Sequence, residues 1–439
     1  MCALEVKLQV RPNLVQRLGL TLLNRRFRGL LLGIALGPTA VVYTWQTLVR
    51  PIAFPGRVID FYEGYVAWAR LLASGADPYT PCLSQGCWLQ NVYPPVVSWL
   101  ALPLLHLDRG VTVAVALIGA QLCVAIFILV AARALRIRDW QLLALWVLAA
   151  ITFSPLMGEV VARNLQVLLL AISAIWFAGW LAGDRWWAGA ALGVGLALKV
   201  FQAPSFLLGV WFRRPWTTLA AVLVLGVLWL VGAPQYLGEY LFKIVPGGDT
   251  TTAFAMKVAP YTMNVGPVGT VTRLLHPGSM YGDGTGIDTT VQLIGYAIAA
   301  AVTVLTAIVL RGPRTDRDGR ALEAALVVAA TPLVVPVVRP GHLILLLLPI
   351  MALGTLALRR GDWRLGASVA ASWILIGPVY LWFSNLLAAG VGAQFVRPGA
   401  ETALAGTVLL WIAALQTLRS HRAAAPNPAV AIHAEPVTA

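Results

Sequence analysis

The stretch Val291–Leu310, VQLIGYAIAAAVTVLTAIVL, decides the fold class of this chain. It contains no charged side chain, and its length suits a helix that crosses a bilayer, which needs about 20 mostly apolar residues. A helix of a soluble protein would show a polar face, and this one shows almost none. Similar runs recur along a chain that is 59% hydrophobic and 11% charged, whereas a soluble domain carries roughly 25% charged residues. We therefore predict an all-α polytopic membrane protein.

The net charge of +14 does not indicate a nucleic-acid-binding protein. The basic residues punctuate the apolar runs and form no patch, which is the positive-inside pattern of a membrane protein. Arg25, Arg26 and Arg28 place the N-terminus in the cytoplasm. Alternation of the spans then places the other dense Lys/Arg clusters on the same side, down to Arg419 and Arg422 near the C-terminus. Both termini are thus predicted to be cytoplasmic.

About twelve spans follow from the apolar runs, within a single domain over residues 1–419. They are predicted at 29–49, 111–132, 140–156, 164–182, 187–200, 202–212, 217–231, 291–310, 321–338, 342–358, 365–383 and 404–418. Residues 50–110 and 235–288 form the two long outer loops. The first loop contains two helices that we expect to lie on the membrane surface, one from Phe61 to Ala73 and one that begins at Pro94-Pro95 and runs to about His106. The Ala/Pro-rich tail 420–439 is expected to be disordered.

Asp60 opens the polar part of the first outer loop, in Val58-Ile59-Asp60-Phe61-Tyr62-Glu63. Its partly apolar surroundings suit a general base. Asp is also a preferred N-cap, here for the helix that starts near Phe61, and the two roles are compatible. Glu63 stands at the third position after that cap, where a capping box is the favoured interpretation.

Three basic residues near span ends are candidates for phosphate or sugar binding. Lys199 ends an apolar run, where its charge could hold a lipid phosphate or reach the headgroups by snorkelling. Arg339 and His342 share the tight outer turn Val338-Arg339-Pro340-Gly341-His342. Arg339 is either a phosphate ligand or a headgroup anchor. His342 could hydrogen-bond a sugar or phosphate, move a proton, or simply contact headgroups.

Further polar residues collect on the predicted outer face: Glu159, Arg163, Asn164, Gln166, Asn264 and Arg273. Asn264 opens a Gly-rich stretch that ends at Arg273; it could bind a sugar hydroxyl or serve loop packing. The sequence contains no Walker A motif, no Rossmann glycine run, no GxSxG elbow and no metal-spaced His/Cys set. We therefore expect no soluble nucleotide, no metal and no other cofactor.

Cys82 and Cys87 share the first outer loop. On an extracytoplasmic face a short-range disulfide between them is plausible, with free thiols as the alternative. A zinc site would need two more ligands, which this loop does not offer.

The order of short motifs resembles glycosyltransferase family 87, a group of GT-C enzymes that use polyprenyl-phosphate sugars. The resemblance covers nearly the whole chain. It rests on Asp60-Phe61-Tyr62, Ser74 to Tyr79, Tyr93-Pro94-Pro95, Asn164-Leu165-Gln166, Leu198-Lys199 with Gln202 and Pro204, Asn264 to Arg273, and Pro340-Gly341-His342. The chain departs from the family pattern at Lys199-Val200, where Lys-Pro is frequent, and at Gly158-Glu159, where a Gly-Gln pair is frequent. The insert at Cys82–Cys87 is a third departure.

The resemblance implies a polyprenol-phosphate-mannose-dependent α-mannosyltransferase, like those of phosphatidylinositol mannoside and lipoglycan synthesis. Asp60 would then be the catalytic base, and Lys199 with Arg339 would bind the donor phosphate. The remaining pocket residues would be Tyr62, Glu63, Asn164, Gln166, Asn264, Arg273 and His342.

The implied reaction inverts the configuration at the sugar and takes place on the extracytoplasmic face of the plasma membrane. The expected partners are the lipid-linked donor, a glycolipid or cell-envelope glycan acceptor, and membrane lipids. An arabinofuranosyltransferase with the same type of lipid donor is the main alternative. A lipid-glycan flippase is the alternative outside enzymes; it would favour charges near mid-membrane and inverted repeats, which the sequence does not show.

Overall fold

The protein is helical throughout its described part. The computed structural model describes residues 25–53, 61–79, 91–245, 264–276, 289–388 and 398–423. Every regular element in these ranges is a helix, and no strand occurs within them. The all-α class predicted from the apolar runs is confirmed for these residues.

Seventeen helices of the described ranges are numbered here in chain order. The first nine are α1 (Arg25–Thr44, continued by Trp45–Val49 and Arg50–Ala53), α2 (Phe61–Val66 and Ala67–Ala73), α3 (Pro95–Leu100, followed by the 3-10 turn Leu102–His106), α4 (Arg109–Ala134), α5 (Trp140–Ile151), α6 (Ser154–Ala162), α7 (Gln166–Ala182), α8 (Trp186–Leu198) and α9 (Ala203–Trp211). The others are α10 (Pro215–Val231), α11 (Pro234–Ile244), α12 (Pro267–Leu275), α13 (Thr289–Val309), α14 (Arg317–Val334), α15 (Leu347–Arg360, preceded by the 3-10 segment Pro340–Leu346), α16 (Trp363–Ile374, continued by Leu375–Val379 and Tyr380–Ala388) and α17 (Pro398–Ala423).

The helices are those of a membrane protein, but the predicted count of twelve spans is not confirmed. Within the described ranges, six helical segments are long and apolar enough to cross a bilayer, and the number rises to 8 if each of two bent pairs is one span. The bent pairs are α5 with α6, at 62°, and α10 with α11, at 99°. Helices α7, α8 and α9 are apolar but shorter than a full crossing. The two helices predicted in the first outer loop are present as α2 and α3.

Helix α7 is largely enclosed by other helices. Leu169, Leu170, Trp176 and Trp180 are fully buried, and nearly every residue of α7 faces other helices. A helix that is apolar all round belongs inside a bundle. Helices α4 and α8 pack on it, so α7 provides a fixed support for the residues that follow α6 and α8.

Two glycines of α8 allow close packing against α10. A Cβ atom at Gly189 would overlap the backbone of Thr217, and one at Gly193 would overlap the backbone of Ala221. Small residues at such interfaces let helix backbones approach closely. The position of α8, and of Lys199 directly after it, is thereby fixed.

The chain breaks at Lys199 between α8 and α9. Lys199 has extended backbone, with φ −163° and ψ 122°, and the 3-10 turn Val200–Gln202 leads into α9. Pro204 lies in the first turn of α9, where its missing N–H is unneeded. The break between the predicted spans 187–200 and 202–212 is present, and it places Lys199 at the junction of two helix ends.

Candidate active site

Lys199 and His342 meet at the centre of the candidate site. The Nζ atom of Lys199 lies 2.8 Å from Nε2 of His342, although the two residues are 143 positions apart in the chain. The break after α8 positions Lys199. The 3-10 segment Pro340–Leu346 positions His342, because this segment packs against α6 and α7. Two basic residues that the sequence suggested separately thus form one pair.

The hydrogen bond between these two side chains limits their combined charge. An ammonium group has only donors, and an imidazole nitrogen accepts only when it carries no proton. Two protonated partners would have no acceptor between them, so the hydrogen-bonded pair carries at most one positive charge. With Lys199 protonated and His342 neutral, the pair is a cationic centre in which Nζ donates to Nε2.

Aromatic rings hold both members of the pair. The ring of His342 packs against Phe201 with centroids 4.6 Å apart, and His342 is 8% exposed. The Nζ atom of Lys199 lies 5.0 Å from the centroid of the Tyr93 ring, within the range of a cation–π contact. These contacts restrict the directions in which the ammonium group can point.

Tyr65 links the first outer loop to this centre. Its hydroxyl lies 3.3 Å from the hydroxyl of Tyr93 and donates to Oδ1 of Asn164 at 3.2 Å. The same hydroxyl accepts from the backbone N–H of Leu165 at 3.2 Å, and Oδ1 of Asn164 also accepts from the N–H of Gln166 at 3.1 Å. Helix α2 is therefore anchored to the start of α7 beside Lys199.

Arg339 forms the turn that carries His342. Its backbone carbonyl accepts from the N–H of His342 at 2.9 Å, and its own N–H lies 3.3 Å from Nδ1 of His342. The guanidinium is near enough to act electrostatically on the ring. No carboxylate in the described part of the chain forms an ion pair with Arg339. The structure thus adds a second cation to the centre.

Glu159 of α6 touches the same turn. A Cβ atom at Gly341 would overlap Oε1 of Glu159, so the carboxylate lies directly against the residue before His342. Sequence reasoning placed Glu159 on the outer face without assigning it a role. The structure shows it to be part of the wall of the site.

Two buried side-chain oxygens, one at the start of α7 and one in α2, have no hydrogen-bond partner within the described ranges. They are Oε1 of Gln166 and Oε2 of Glu63. Gln166 is the first residue of α7 and is 2% exposed. Because buried polar atoms are normally hydrogen-bonded, both atoms are candidates to bind a hydroxyl group of a substrate.

Tyr62 is engaged elsewhere. Its hydroxyl accepts from Nη2 of Arg70 at 2.7 Å, and the guanidinium groups of Arg70 and Arg109 lie 4.9 and 5.0 Å from its ring centroid. Tyr65, one turn later in α2, makes the contacts with Tyr93 and Asn164. Tyr62, which the sequence analysis named as a pocket residue, therefore contacts Arg70 and Arg109. The hydrogen bonds to Tyr93 and Asn164 are made by Tyr65.

Asn264 and Arg273 form a buried support below the His342 turn. Oδ1 of Asn264 accepts from the N–H of Val338 at 3.0 Å and of Gly266 at 3.1 Å, and its Nδ2 donates to the carbonyl of Pro336 at 3.1 Å. Arg273 donates to the carbonyl of Asn264 at 2.8 Å. Both side chains are fully buried. In this arrangement they hold the turn, and their predicted contact with sugar stays a prediction.

Arg273 also connects α12 to the last helix. Its Nε donates to Oε1 of Glu401 at 3.0 Å, and its Nη2 donates to the hydroxyl of Thr270 at 3.0 Å. A buried arginine needs such partners, because an unpaired charge is costly away from water. Helix α12 is thereby tied to the start of α17.

Three predicted residues lie outside the described ranges: Asp60, Cys82 and Cys87. Asp60 directly precedes Phe61, the first residue of α2, and the Phe61 ring packs edge-on against Tyr65 with centroids 6.2 Å apart. Among the described residues, no group of three or more His, Cys, Asp and Glu side chains is arranged to hold a metal ion.

A family model described as glycosyltransferase family 87 matches residues 91–340, more than half of the chain. The chain belongs to glycosyltransferase family 87. It is therefore an enzyme, a membrane-bound hexosyltransferase. The matched range of the family contains Tyr93, Asn164 and Lys199, and it ends two residues before His342. A search of curated proteins finds no match.

The geometry adds three residues of this family 87 enzyme that sequence reasoning did not place in the site: Tyr65, Tyr93 and Phe201. Only Tyr93 had a sequence signal, its position directly before Pro94-Pro95. Tyr65 and Phe201 contact the site through residues 99 and 141 positions away, respectively. Local sequence patterns carry no information about such pairings.

Proposed function

We propose that this family 87 enzyme is an inverting mannosyltransferase. It moves mannose from a polyprenyl-phosphate donor to a lipid-linked or cell-envelope glycan acceptor and forms an α-linkage on the extracytoplasmic face of the plasma membrane. The observation that carries the proposal is the Lys199–His342 pair, held between Tyr93 and Phe201 with Arg339 in the adjoining turn.

A phosphate monoester or diester suits this cationic centre. Lysine binds phosphate as a compact point charge, and arginine binds it through a planar fork. One N–H group of the Lys199 ammonium is already engaged in the hydrogen bond with His342. The directions of its other N–H groups are therefore restricted. A preorganised cation stabilises charge that develops on a leaving phosphate without reorganisation during the reaction.

In the proposed reaction, one bond of the sugar C1 atom breaks and one forms. The C1–oxygen bond to the phosphate breaks, and Lys199 with Arg339 stabilises the charge on the departing polyprenyl phosphate. An acceptor hydroxyl attacks the opposite face of C1, and Asp60 takes its proton as general base. Attack from the opposite face converts a β-linked donor into an α-linked product.

The anchoring of α2 supports the role of Asp60. Asp60 is the residue before α2 in the sequence, and Tyr65 fastens α2 to Tyr93 and Asn164 beside Lys199. Gln166 and Glu63 would then receive hydroxyl groups of the sugar or the acceptor through their available oxygens. The donor arrives already activated, so no soluble nucleotide, metal or other cofactor is part of the proposal.

The test is sugar transfer by the purified protein in lipid nanodiscs. Radiolabelled polyprenyl-phosphate-mannose is supplied with a cell-envelope lipid extract, and transfer into lipid-linked product is followed. Asp60→Asn should reduce transfer by at least about a hundredfold, since general-base catalysis contributes roughly 10²–10⁴. Asp108→Asn is the matched control, because Asp108 is an exposed carboxylate in the same loop without a side-chain capping bond.

Lys199→Ala tests the phosphate centre, with Lys243→Ala as its control. The Lys243 side chain is 55% exposed and pairs with Glu239. Loss of transfer in Lys199→Ala alone supports the proposal. Equal transfer by Asp60→Asn and wild type would remove Asp60 from the mechanism. Transfer from polyprenyl-phosphate-arabinofuranose and not from the mannose donor would replace the proposed sugar.

A further inference from the structure

Arg163 is a buried arginine next to the candidate site. It is 7% exposed, and its buried Nε atom has no hydrogen-bond partner among the residues that the structure describes. Its Nη1 donates to the carbonyl of Val161 at 3.3 Å. No carboxylate within the described ranges forms an ion pair with it. Burial lowers the pKa of Arg163, yet an arginine keeps its charge at neutral pH.

The backbone at this position does not favour arginine. Arg163 has φ 53° and follows α6. Its N–H donates to the carbonyl of Val160 and the N–H of Asn164 donates to the carbonyl of Glu159. These two hydrogen bonds form a Schellman motif, whose left-handed position is usually glycine because a side chain is disfavoured there. Glycine would adopt this left-handed conformation at lower cost than arginine, so the backbone of the turn does not explain the arginine side chain.

Two other arginines in the chain occupy the same motif without burial. Arg136 and Arg213 have φ 54° and 50°, with the same pair of backbone hydrogen bonds at the ends of α4 and α9. Both are exposed, so solvent stabilises their charges. Among the three, only Arg163 combines this left-handed turn with a buried side chain, so Arg136 and Arg213 serve as matched controls.

The surroundings connect Arg163 to the Lys199 centre. It precedes Asn164, whose Oδ1 bonds Tyr65 beside Tyr93. It also follows α6, the helix whose Glu159 lies against Gly341. The positive end of α7, a helix of 17 residues, begins at Gln166. A phosphate bound here would give the buried guanidinium the anionic partner that charges away from water usually have.

We propose that Arg163 binds a phosphate group of a lipid substrate, as a second phosphate position beside the Lys199–His342 pair. The inference rests on the proposed function in naming a lipid phosphate. The guanidinium fork matches phosphate oxygens. Two lipids supply this chemistry, the polyprenyl-phosphate donor and a phospholipid-anchored acceptor.

The experiment measures lipid binding to the purified full-length protein in detergent. Wild type, Arg163→Met, Arg163→Lys and the control Arg213→Met are titrated with a polyprenyl monophosphate and, separately, with phosphatidylinositol. Polyprenol and diacylglycerol serve as uncharged references, and the ligand-free unfolding temperature is recorded for each variant. Arg163→Met should weaken the binding of one of the two phosphate lipids by roughly tenfold or more, the factor expected for one charge-assisted hydrogen bond. Arg163→Lys should be intermediate, because it keeps the charge without the fork.

Each outcome decides the proposal. Weaker binding of the polyprenyl phosphate alone assigns Arg163 to the donor, and weaker binding of phosphatidylinositol alone assigns it to the acceptor. Wild-type binding of both lipids by Arg163→Met overturns the proposal, as does failure of the wild type to bind either. A lower ligand-free unfolding temperature with unchanged binding would show a structural arginine instead.

The sugar-transfer assay separates this proposal from the proposed function. If the wild type transfers sugar and substitution of Arg163 leaves lipid binding unchanged, only the phosphate position is overturned. If the wild type transfers no mannose but its binding of a phosphate lipid depends on Arg163, the phosphate position stands and the proposed mannosyl transfer is overturned.

Discussion

Gly269→Ala tests whether the Asn264 support holds the His342 turn. Gly269 lies in the first turn of α12, and a Cβ atom there would overlap the backbone carbonyl of Asn264 and lie 2.7 Å from its Cβ. The obstacle includes backbone, so rotation of a flexible side chain cannot relieve it. Either α12 shifts, or the hydrogen bonds of Asn264 break.

The two routes have different costs. Overpacking a well-filled interior costs about 1–3 kcal/mol. Breaking the support would leave the buried N–H groups of Val338 and Gly266 without an acceptor, at about 1–3 kcal/mol each. The shift of α12 is therefore the cheaper route, and the free energy of unfolding should fall by about 1–3 kcal/mol. Because the N–H of Val265 also donates to the carbonyl of Val338 at 2.8 Å, the shift should reach the His342 turn.

The assay combines thermal unfolding in detergent with initial rates of sugar transfer. A displaced catalytic group can lose up to about a hundredfold in rate, so kcat should fall by several-fold to that limit. Gly110→Ala is the control: Gly110 lies in the first turn of α4 with open space around a new Cβ. Alanine there should be neutral or stabilising by about 0.5–1 kcal/mol. A Gly269→Ala protein as stable and active as wild type would refute the packing argument.

Three further substitutions test other contacts. Gly341→Ala displaces the carboxylate end of Glu159, so the free energy of unfolding should change by less than about 1 kcal/mol while the rate of sugar transfer falls. A parallel loss of stability would contradict this expectation. Burial would raise the pKa of Asp316, but hydrogen bonds from a backbone N–H and from His421 outweigh it and lower that pKa. Asp316→Asn should therefore cost under about 1 kcal/mol at neutral pH, and the difference should disappear as acid protonates the wild-type carboxylate, below its ordinary pKa of about 3.9; a difference that persists in acid would exclude the ionic contribution. Gly189→Ala pushes α8 away from α10 and should destabilise by about 1–3 kcal/mol, which thermal unfolding measures; an unchanged midpoint would show that the two helices are not in tight contact.

The sequence by itself determined the helical membrane architecture and the positions of most helices. An apolar run is a property of consecutive residues, so it can be recognised in the sequence. Accordingly, α4, α10 and α13 lie within a few residues of the predicted spans. It did not determine how many of them cross the bilayer, because the short helices α7 and α8 lie buried against one another and their length alone does not show a crossing.

The sequence also singled out Lys199 and His342, since ionisable groups at span ends are costly unless they have a role. Only the tertiary structure joined them, at 2.8 Å across 143 positions. It showed that Tyr65 contacts Asn164, and it placed Asn264 in a buried support. The physical reason is that helix formation depends on neighbouring residues, whereas the site depends on contacts between distant helices. Packing against α6 and α7, and not any motif, decides where the His342 turn lies.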